Sequence, residues 1–313
     1  MNEFREGGGA GLPASLSRLP WGPPESFLGL PAEETVFAAC PIAILPVPYE
    51  ATVSYMGGTC FGPRALLHAS RFVEVYDHEL DAEPYQVGVT TLPELVLSGA
   101  GPHAALEELR HAYETLLDER KFVIMLGGEH AISGPPILTH AARTRGRLSV
   151  LQLDAHADLR PEYEGTPLSH ASVMYRVSEQ VDLMPVGIRS LTVDERALMR
   201  DRGIEPVFGH ELHTPGWIER VLDGLGDEVY LTFDVDYFDP SIMPATGTPE
   251  PGGGSWYPTL TLLEAVFREK RVVGCDVVEL APIPGVVDPD FTAAKLVYKL
   301  VGFWERYQRD RTR

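Results

Sequence analysis

The sequence predicts an α/β protein whose mainly parallel sheet is covered by helices on both faces. Three observations lead to this. Short apolar runs with few charges alternate along the chain with stretches of helical periodicity. The runs are apolar nearly throughout, as in strands that are buried on both faces of a parallel sheet. Three acidic clusters, two containing histidine, follow directly on three of the runs, at the strand ends where such sheets collect ligands.

The elements follow in chain order. Residues 1–36 are rich in Gly, Pro and Ser, with Gly7-Gly8-Gly9 and Pro23-Pro24, and read as an irregular arm ahead of a single domain at 37–313. Residues 43–47 form the first strand. The periodicity of Leu106, Leu109, Ala112, Tyr113, Leu116 and Leu117 predicts a helix over 104–120. A strand at 123–126 follows, then a helix at 136–143 that tolerates Pro136 near its first turn. Further strands are expected at 149–153, 183–186, 229–233 and 272–280. A last helix over 291–307 buries Ala294, Val297, Val301 and Trp304, with Leu296 and Leu300 alongside.

Composition bounds the function. A chain of 313 residues, 44% hydrophobic and 23% charged, has the make-up of a soluble globular protein with a substantial core. No apolar run reaches the roughly 18 residues a membrane span needs. The first residues carry no basic-then-apolar export pattern, so a cytoplasmic location is expected. Cys40, Cys60 and Cys275 are too few and odd in number for a disulfide framework. A net charge of −19 disfavours nucleic acid and suits a small cationic partner, although an acidic surface also serves solubility alone.

The clusters carry the chemistry. Gly127-Gly128-Glu129-His130 follows the run at 123–126, Asp154-Ala155-His156-Ala157-Asp158 the run at 149–153, and Asp234-Val235-Asp236 the run at 229–233. Strand alternation predicts that Asp154 shares a face with His156, and Asp234 with Asp236. Carboxylates gathered at a buried strand end repel one another and are costly to desolvate, and a cation relieves both. Asp154, Asp158, Asp234 and Asp236 carry four negative charges, which two divalent ions would neutralise. Oxygen-rich ligation with His130 and His156 and no thiolate points to manganese, ahead of cobalt, iron or zinc. Paired ions roughly 3.5–4 Å apart lower the pKa of a shared water enough to give hydroxide at neutral pH. Taken singly, His130 also reads as a hydrogen-bonded loop histidine and Asp234-x-Asp236 as a turn or helix cap, whereas Asp154-x-His156-x-Asp158 by itself favours metal.

These residues, with Thr232-Phe233-Asp234-Val235-Asp236-Tyr237-Phe238-Asp239-Pro240 and its continuation through Thr246-Gly247-Thr248-Pro249, resemble the signatures of the ureohydrolases, the arginase and agmatinase family. The resemblance implies a three-layer α/β/α arginase-like fold, two Mn²⁺ per subunit, hydrolysis of a guanidino group to urea and an amine, and a homo-trimer or homo-hexamer. By position, it makes Asp154 and Asp234 bridging ligands, with His130 and Asp158 completing one metal site and His156 and Asp236 the other. It places His170, in Ser169-His170-Ala171-Ser172, as the catalytic proton shuttle, with Asp158 also among the catalytic residues. Glu279 matches the residue that holds the substrate guanidinium, a pairing favoured by two parallel hydrogen bonds.

Pro48-Tyr49-Glu50-Ala51-Thr52-Val53-Ser54-Tyr55 and Phe61-Gly62-Pro63-Arg64 are similar to the agmatinase branch, which implies conversion of agmatine to putrescine and urea. Arg160-Pro161-Glu162 stands where arginases carry the Asn and Ser side chains that hold an α-amino acid. Cys60, where relatives often have Arg, and Pro282-Ile283-Pro284-Gly285 depart from the branch pattern and bear on the pocket. Residues 246–255, with Trp256 and Tyr257, are read as its mouth. The alternatives are another guanidino substrate (aminopropylagmatine, guanidinobutyrate or arginine), a non-catalytic metal-binding paralogue, and a dinuclear phosphoesterase, the last opposed by the flanking motifs.

Overall fold

The computed structural model describes residues 25–311; most of the expected arm, residues 1–24, lies outside them. Residues 27–29 and 32–34 form short 3-10 turns, and Phe27, Leu28 and Leu30 are buried in the core. The strands are β1 (Ile42–Val47), β2 (Val89–Thr91), β3 (Phe122–Gly127), β4 (Ser149–Leu153), β5 (Asp182–Ile188), β6 (Val207–Phe208), β7 (Glu228–Asp234) and β8 (Arg271–Val278). The α-helices are α1 (Gly62–Ser70), α2 (Pro102–Asp118), α3 (Gly134–Arg143), α4 (Val173–Val177), α5 (Val193–Arg202), α6 (Trp217–Gly224), α7 (Trp256–Glu269) and α8 (Asp288–Tyr307).

The eight strands form one parallel sheet in the order β2-β1-β3-β8-β7-β4-β5-β6. The chain lays down β1 to β3, steps over a gap to β4, continues outward to β6, and returns to fill the gap with β7 and β8. The middle of the sheet is therefore β3-β8-β7-β4, where chain direction along the sheet reverses, the place at which open α/β sheets hold ligands.

Alternation along each strand feeds two cores. On β3, Ile124 and Leu126 join one cluster with Leu66 of α1, Leu263 of α7 and Leu296 of α8. Val123 and Met125 join the opposite cluster with Leu109 of α2, Ile137 of α3 and Met199 of α5. Helices thus cover both faces, giving the expected α/β/α layers, and each fully buried aliphatic side chain contributes roughly 1.5–3 kcal/mol. On α8 the cores admit one charge: buried Lys299 reaches Asp77 at 2.7 Å and also contacts Glu79.

The predicted strands and helices form within a few residues of their expected ends. Strands β2 and β6 and helices α1, α4, α5, α6 and α7 were not expected. Strands β2 and β6 are edge strands of three and two residues. Helix α5 is mostly charged, yet Thr192 and Glu195 cap it reciprocally and left-handed Gly203 (φ 67°) ends it. Among the described residues no helix is long and apolar enough to cross a membrane.

Candidate metal centre

Four neighbouring strands deliver the site. His130 lies just past β3, Glu279 directly after β8, Asp234 ends β7, and Asp154 directly follows β4. All six residues expected to bind metal converge here, His130 and Asp154 fully buried and Asp158, Asp234 and Asp236 nearly so. His130 Nδ1 lies 3.2 Å from Asp154 Oδ2, 3.1 Å from Asp158 Oδ2 and 3.4 Å from Asp234 Oδ2. Among the described residues that nitrogen is buried without a hydrogen-bond partner. His156 Nδ1 lies 2.8 Å from Asp236 Oδ2. The donor atoms form two groups, His130-Asp154-Asp234 and Asp154-His156-Asp236, each within 4.8 Å, with Asp154 common to both.

The local folding differs from the expected strand alternation. Asp154 and His156 lie beyond β4, and Asp236 sits in a 3-10 turn. Their convergence comes from two like turns: Asp154 Oδ1 accepts the His156 N–H at 2.6 Å, and Asp234 Oδ1 accepts the Asp236 N–H at 2.9 Å. An aspartate that bonds the backbone two residues on turns the chain. Each keeps Oδ2 directed at His130. The Ala155 N–H donates to Asp236 Oδ1 at 2.9 Å and ties the turns together.

Backbone strain marks two site residues. Asp158 (φ 53°) and Glu279 (φ 66°) are left-handed, a conformation costing non-glycine residues on the order of 1 kcal/mol and concentrated at functional sites. At Gly128 a Cβ would stand 2.0 Å from the Tyr49 carbonyl oxygen, so only glycine lets the loop after β1 lie against the exit of β3.

The electrostatics call for a cation. Burial, with Asp158 and Asp236 nearby, pushes the Asp154 carboxyl up to about 7. Burial, then Asp236 and Asp154, holds Asp234 well above the carboxylate range. Burial likewise raises Glu279. For Asp236 burial acts upward too, but His156 outweighs it and the carboxyl titrates low. Asp154 and Asp234, whose carboxyls resist ionisation at the His130 imidazole, fit a site built for a cation.

Behind the cluster, His130 Nε2 bonds Thr232 Oγ1 at 2.8 Å, and that hydroxyl donates to Asp276 Oδ1 at 2.7 Å. Gln152 Nε2 donates to Asp154 Oδ2 at 2.9 Å. In front opens a cavity of about 290 Å³ lined by His156, Asp158, His170, Asp234, Asp236 and Glu279, with Arg160, Tyr163, Thr246 and Glu250 further along its wall. Glu279 Oε1 accepts the His130 N–H at 2.6 Å. His170 opens a 3-10 turn, with Nδ1 3.3 Å from Thr52 Oγ1 and Nε2 3.4 Å from Ser54 Oγ. Arg189 Nη2 donates to the carbonyls of Asp236 (2.6 Å) and Glu250 (2.8 Å), fixing the wall against the cluster.

Two readings of the pocket are corrected. Cys60 and residues 282–285 do not line it: the Cys60 N–H donates to Glu50 Oε2 at 3.1 Å in a separate turn. Trp256 and Tyr257 also stand outside the wall, because they begin α7 and Trp256 stacks on Phe238 at 6.0 Å. Thr52, Glu129, Arg189, Thr232, Glu250 and Asp276 were not singled out by sequence reasoning. Glu129 and Thr232 sit inside recognised motifs, and Thr52 in the N-terminal signature. Asp276 opens the stretch that carries Glu279, and Arg189 carries no local signal.

The arginase family model matches residues 40–302. The N(1)-aminopropylagmatine ureohydrolase of Synechocystis is 39% identical over 88% of this chain and 92% of its own length. A Thermus thermophilus protein of the same name is 40% identical over 86% of this chain and 92% of its own. The crystal structure of the agmatine ureohydrolase of Thermoplasma volcanium superimposes with a TM-score of 0.80 at 26% identity, covering 88% of this chain and 94% of that one. With fold, site and likeness in agreement, the chain belongs to the arginase family and is a ureohydrolase of guanidino compounds.

Proposed function

We propose that the protein hydrolyses the guanidino group of N(1)-aminopropylagmatine, and more slowly that of agmatine, releasing urea and the corresponding polyamine. The observation that supports this best is the joint opening of the carboxylate–imidazole cluster, Glu279 and His170 into one cavity. In this reading His130, Asp154, His156, Asp158, Asp234 and Asp236 would hold a pair of manganese ions. When bound, the metal pair supplies an acidified water and offsets the charge that develops on hydrolysis.

The chain's own residues do the rest. Glu279 receives the guanidinium: its Oε1 already accepts from His130, which holds the carboxylate still, and Oε2 is left for the substrate. Orientation of this kind lowers the barrier by removing rotational freedom before the reaction. His170 Nε2 delivers the proton that lets the amine nitrogen leave as the carbon–nitrogen bond breaks. Glu250 takes the tail. Its carboxylate makes no side-chain bond among the described residues, whereas Glu195 on the same wall is held by Leu159 and Thr192. The nitrogen four methylenes from the guanidino group is an ammonium in both substrates, and a free carboxylate suits it. The two relatives at about 40% identity favour the longer amine. A cytoplasmic trimer or hexamer belongs to the same reading.

Urea release tests it with manganese-loaded protein and a panel of aminopropylagmatine, agmatine, arginine and 4-guanidinobutyrate. The expected order of kcat/KM places aminopropylagmatine first and agmatine second. A preference for either carboxylate-bearing compound, or no urea from any, would overturn the proposal.

A further inference from the structure

We propose that Thr52, seated on the buried carboxylate of Glu129, is the positioning residue that sets the tautomer of His170 and holds the ring against the cavity. The inference rests on the reading of His170 as the proton carrier.

Glu129 is fully buried, yet it is not among the expected ligands and does not line the cavity. Its carboxylate instead accepts three hydrogen bonds from the loop after β1. Oε2 takes the Ala51 N–H at 2.5 Å and the Thr52 N–H at 2.7 Å, and Oε1 takes the Thr52 hydroxyl at 2.6 Å. The Glu129 N–H donates to the Tyr49 carbonyl at 2.9 Å, so the loop is bound at both ends of one residue. A threonine hydroxyl has one proton and two lone pairs. That proton goes to Glu129, so Thr52 Oγ1 acts only as an acceptor towards other groups.

Both remaining neighbours of Thr52 Oγ1 belong to His170. The backbone N–H of His170 donates to it at 3.1 Å, and Nδ1 stands 3.3 Å away. An oxygen that can only accept requires the hydrogen on Nδ1. The network therefore assigns neutral His170 as the Nδ1–H tautomer. Nε2 keeps its lone pair beside Ser54 Oγ, which also lines the cavity. The edge of the ring meets Tyr163 at 5.5 Å and 82°, which restrains its rotation. A proton taken from water by Nε2 gives an imidazolium whose Nδ1–H keeps Thr52 as its partner, and passing that proton to the leaving nitrogen returns the neutral Nδ1–H ring. A carboxylate acting on an imidazole through a group that fixes its tautomer follows the logic of a catalytic triad, with a hydroxyl interposed.

Thr52→Val keeps the shape and removes the acceptor. The expected result is a fall in kcat of about tenfold to a hundredfold, with KM within about twofold and manganese content unchanged. Thr52→Ser restores most of the rate. In the wild type, ¹⁵N NMR of the His170 ring, identified against His170→Ala, is expected to give a protonated Nδ1 and an unprotonated Nε2 in the neutral form. Wild-type kcat in Thr52→Val, failure of Thr52→Ser to restore a lost rate, or an Nε2–H tautomer would each overturn the inference. The NMR measurement needs no turnover, so it decides the tautomer even if the panel above releases no urea.

Discussion

Thr232 stands directly behind His130, its hydroxyl 2.8 Å from Nε2 on the side of the ring away from the carboxylates. Because Thr232 spends its proton on Asp276 at 2.7 Å, it accepts from Nε2–H and leaves Nδ1, which faces Asp154, Asp158 and Asp234, as the nitrogen that would ligate a metal. Burial raises the Asp276 carboxyl, and donation from Thr232 and Tyr230 works against that rise. Thr232→Val removes the acceptor that holds the imidazole in its ligating tautomer. Metal affinity is expected to fall roughly 10–100-fold, the usual effect of losing such a partner, as read by competition against a chelating dye. An unchanged affinity would mean that the ring is oriented by packing alone.

Asp234 bears on stability with the opposite sign to its bearing on metal binding. Burial first, then Asp236 and Asp154, holds its carboxyl well above the ordinary range. A carboxyl raised in the fold is destabilising when ionised, since unfolding relieves it. Asp234→Asn is therefore expected to raise the melting temperature of the metal-free protein at pH 8, by about 2 °C or more. The same change should abolish the stabilisation that added manganese confers on the wild type. A metal-free variant that melts below the wild type would contradict the repulsion argument.

How much of this was legible depends on how local each signal is. Asp154-x-His156 and Asp234-x-Asp236 were visible because the convergence is made within three residues, although it comes from aspartate turns and not from strand alternation. His130 and Glu279 were legible through their motifs, but their contact joins residues 149 positions apart and needs the return of the chain to place β8 beside β3. Arg189 illustrates what stays hidden. It looks like any arginine after a strand, and its role emerges only when it bonds carbonyls 47 and 61 residues away. Helix α5 was missed for a different reason. Its charged residues leave little apolar periodicity, and the Thr192–Glu195 capping signal was the one to weigh.

Glu250 supplies the test of tail recognition. Its backbone carbonyl is fixed by Arg189 while its carboxylate stays unbonded on the cavity wall among the described residues. Glu250→Gln is expected to raise KM for aminopropylagmatine and agmatine about tenfold, near 1.4 kcal/mol of lost charge pairing. Butylguanidine has no tail ammonium, so its KM should stay the same in both proteins. Manganese content should be unaffected, which separates this effect from damage to the cluster. Equal KM shifts for the charged and uncharged tails would remove Glu250 from substrate recognition.

His140 gives the fold an acid-labile point far from the cavity wall. It is buried in α3 with Nε2 3.1 Å from the Tyr113 hydroxyl, which can donate to the neutral ring. Burial, reinforced by Arg143 and Arg271, pushes its pKa down to about 3 from the ordinary 6.5. Above pH 6.5 the ring is neutral in both the folded and the unfolded chain, and it contributes no pH dependence. Below that value the unfolded chain takes up a proton that the folded one refuses. Stability is then lost as pH falls from 6.5 towards 3, by roughly 1.4 kcal/mol per pH unit from this residue. The cluster carboxyls titrate in the same range, so the measurement must be a difference. Urea unfolding of wild type and His140→Gln at pH 7, 6 and 5 should converge as the pH falls, because the glutamine retains an acceptor for Tyr113 without the proton linkage. Parallel curves would show that the pocket around His140 opens to solvent and does not hold the ring neutral.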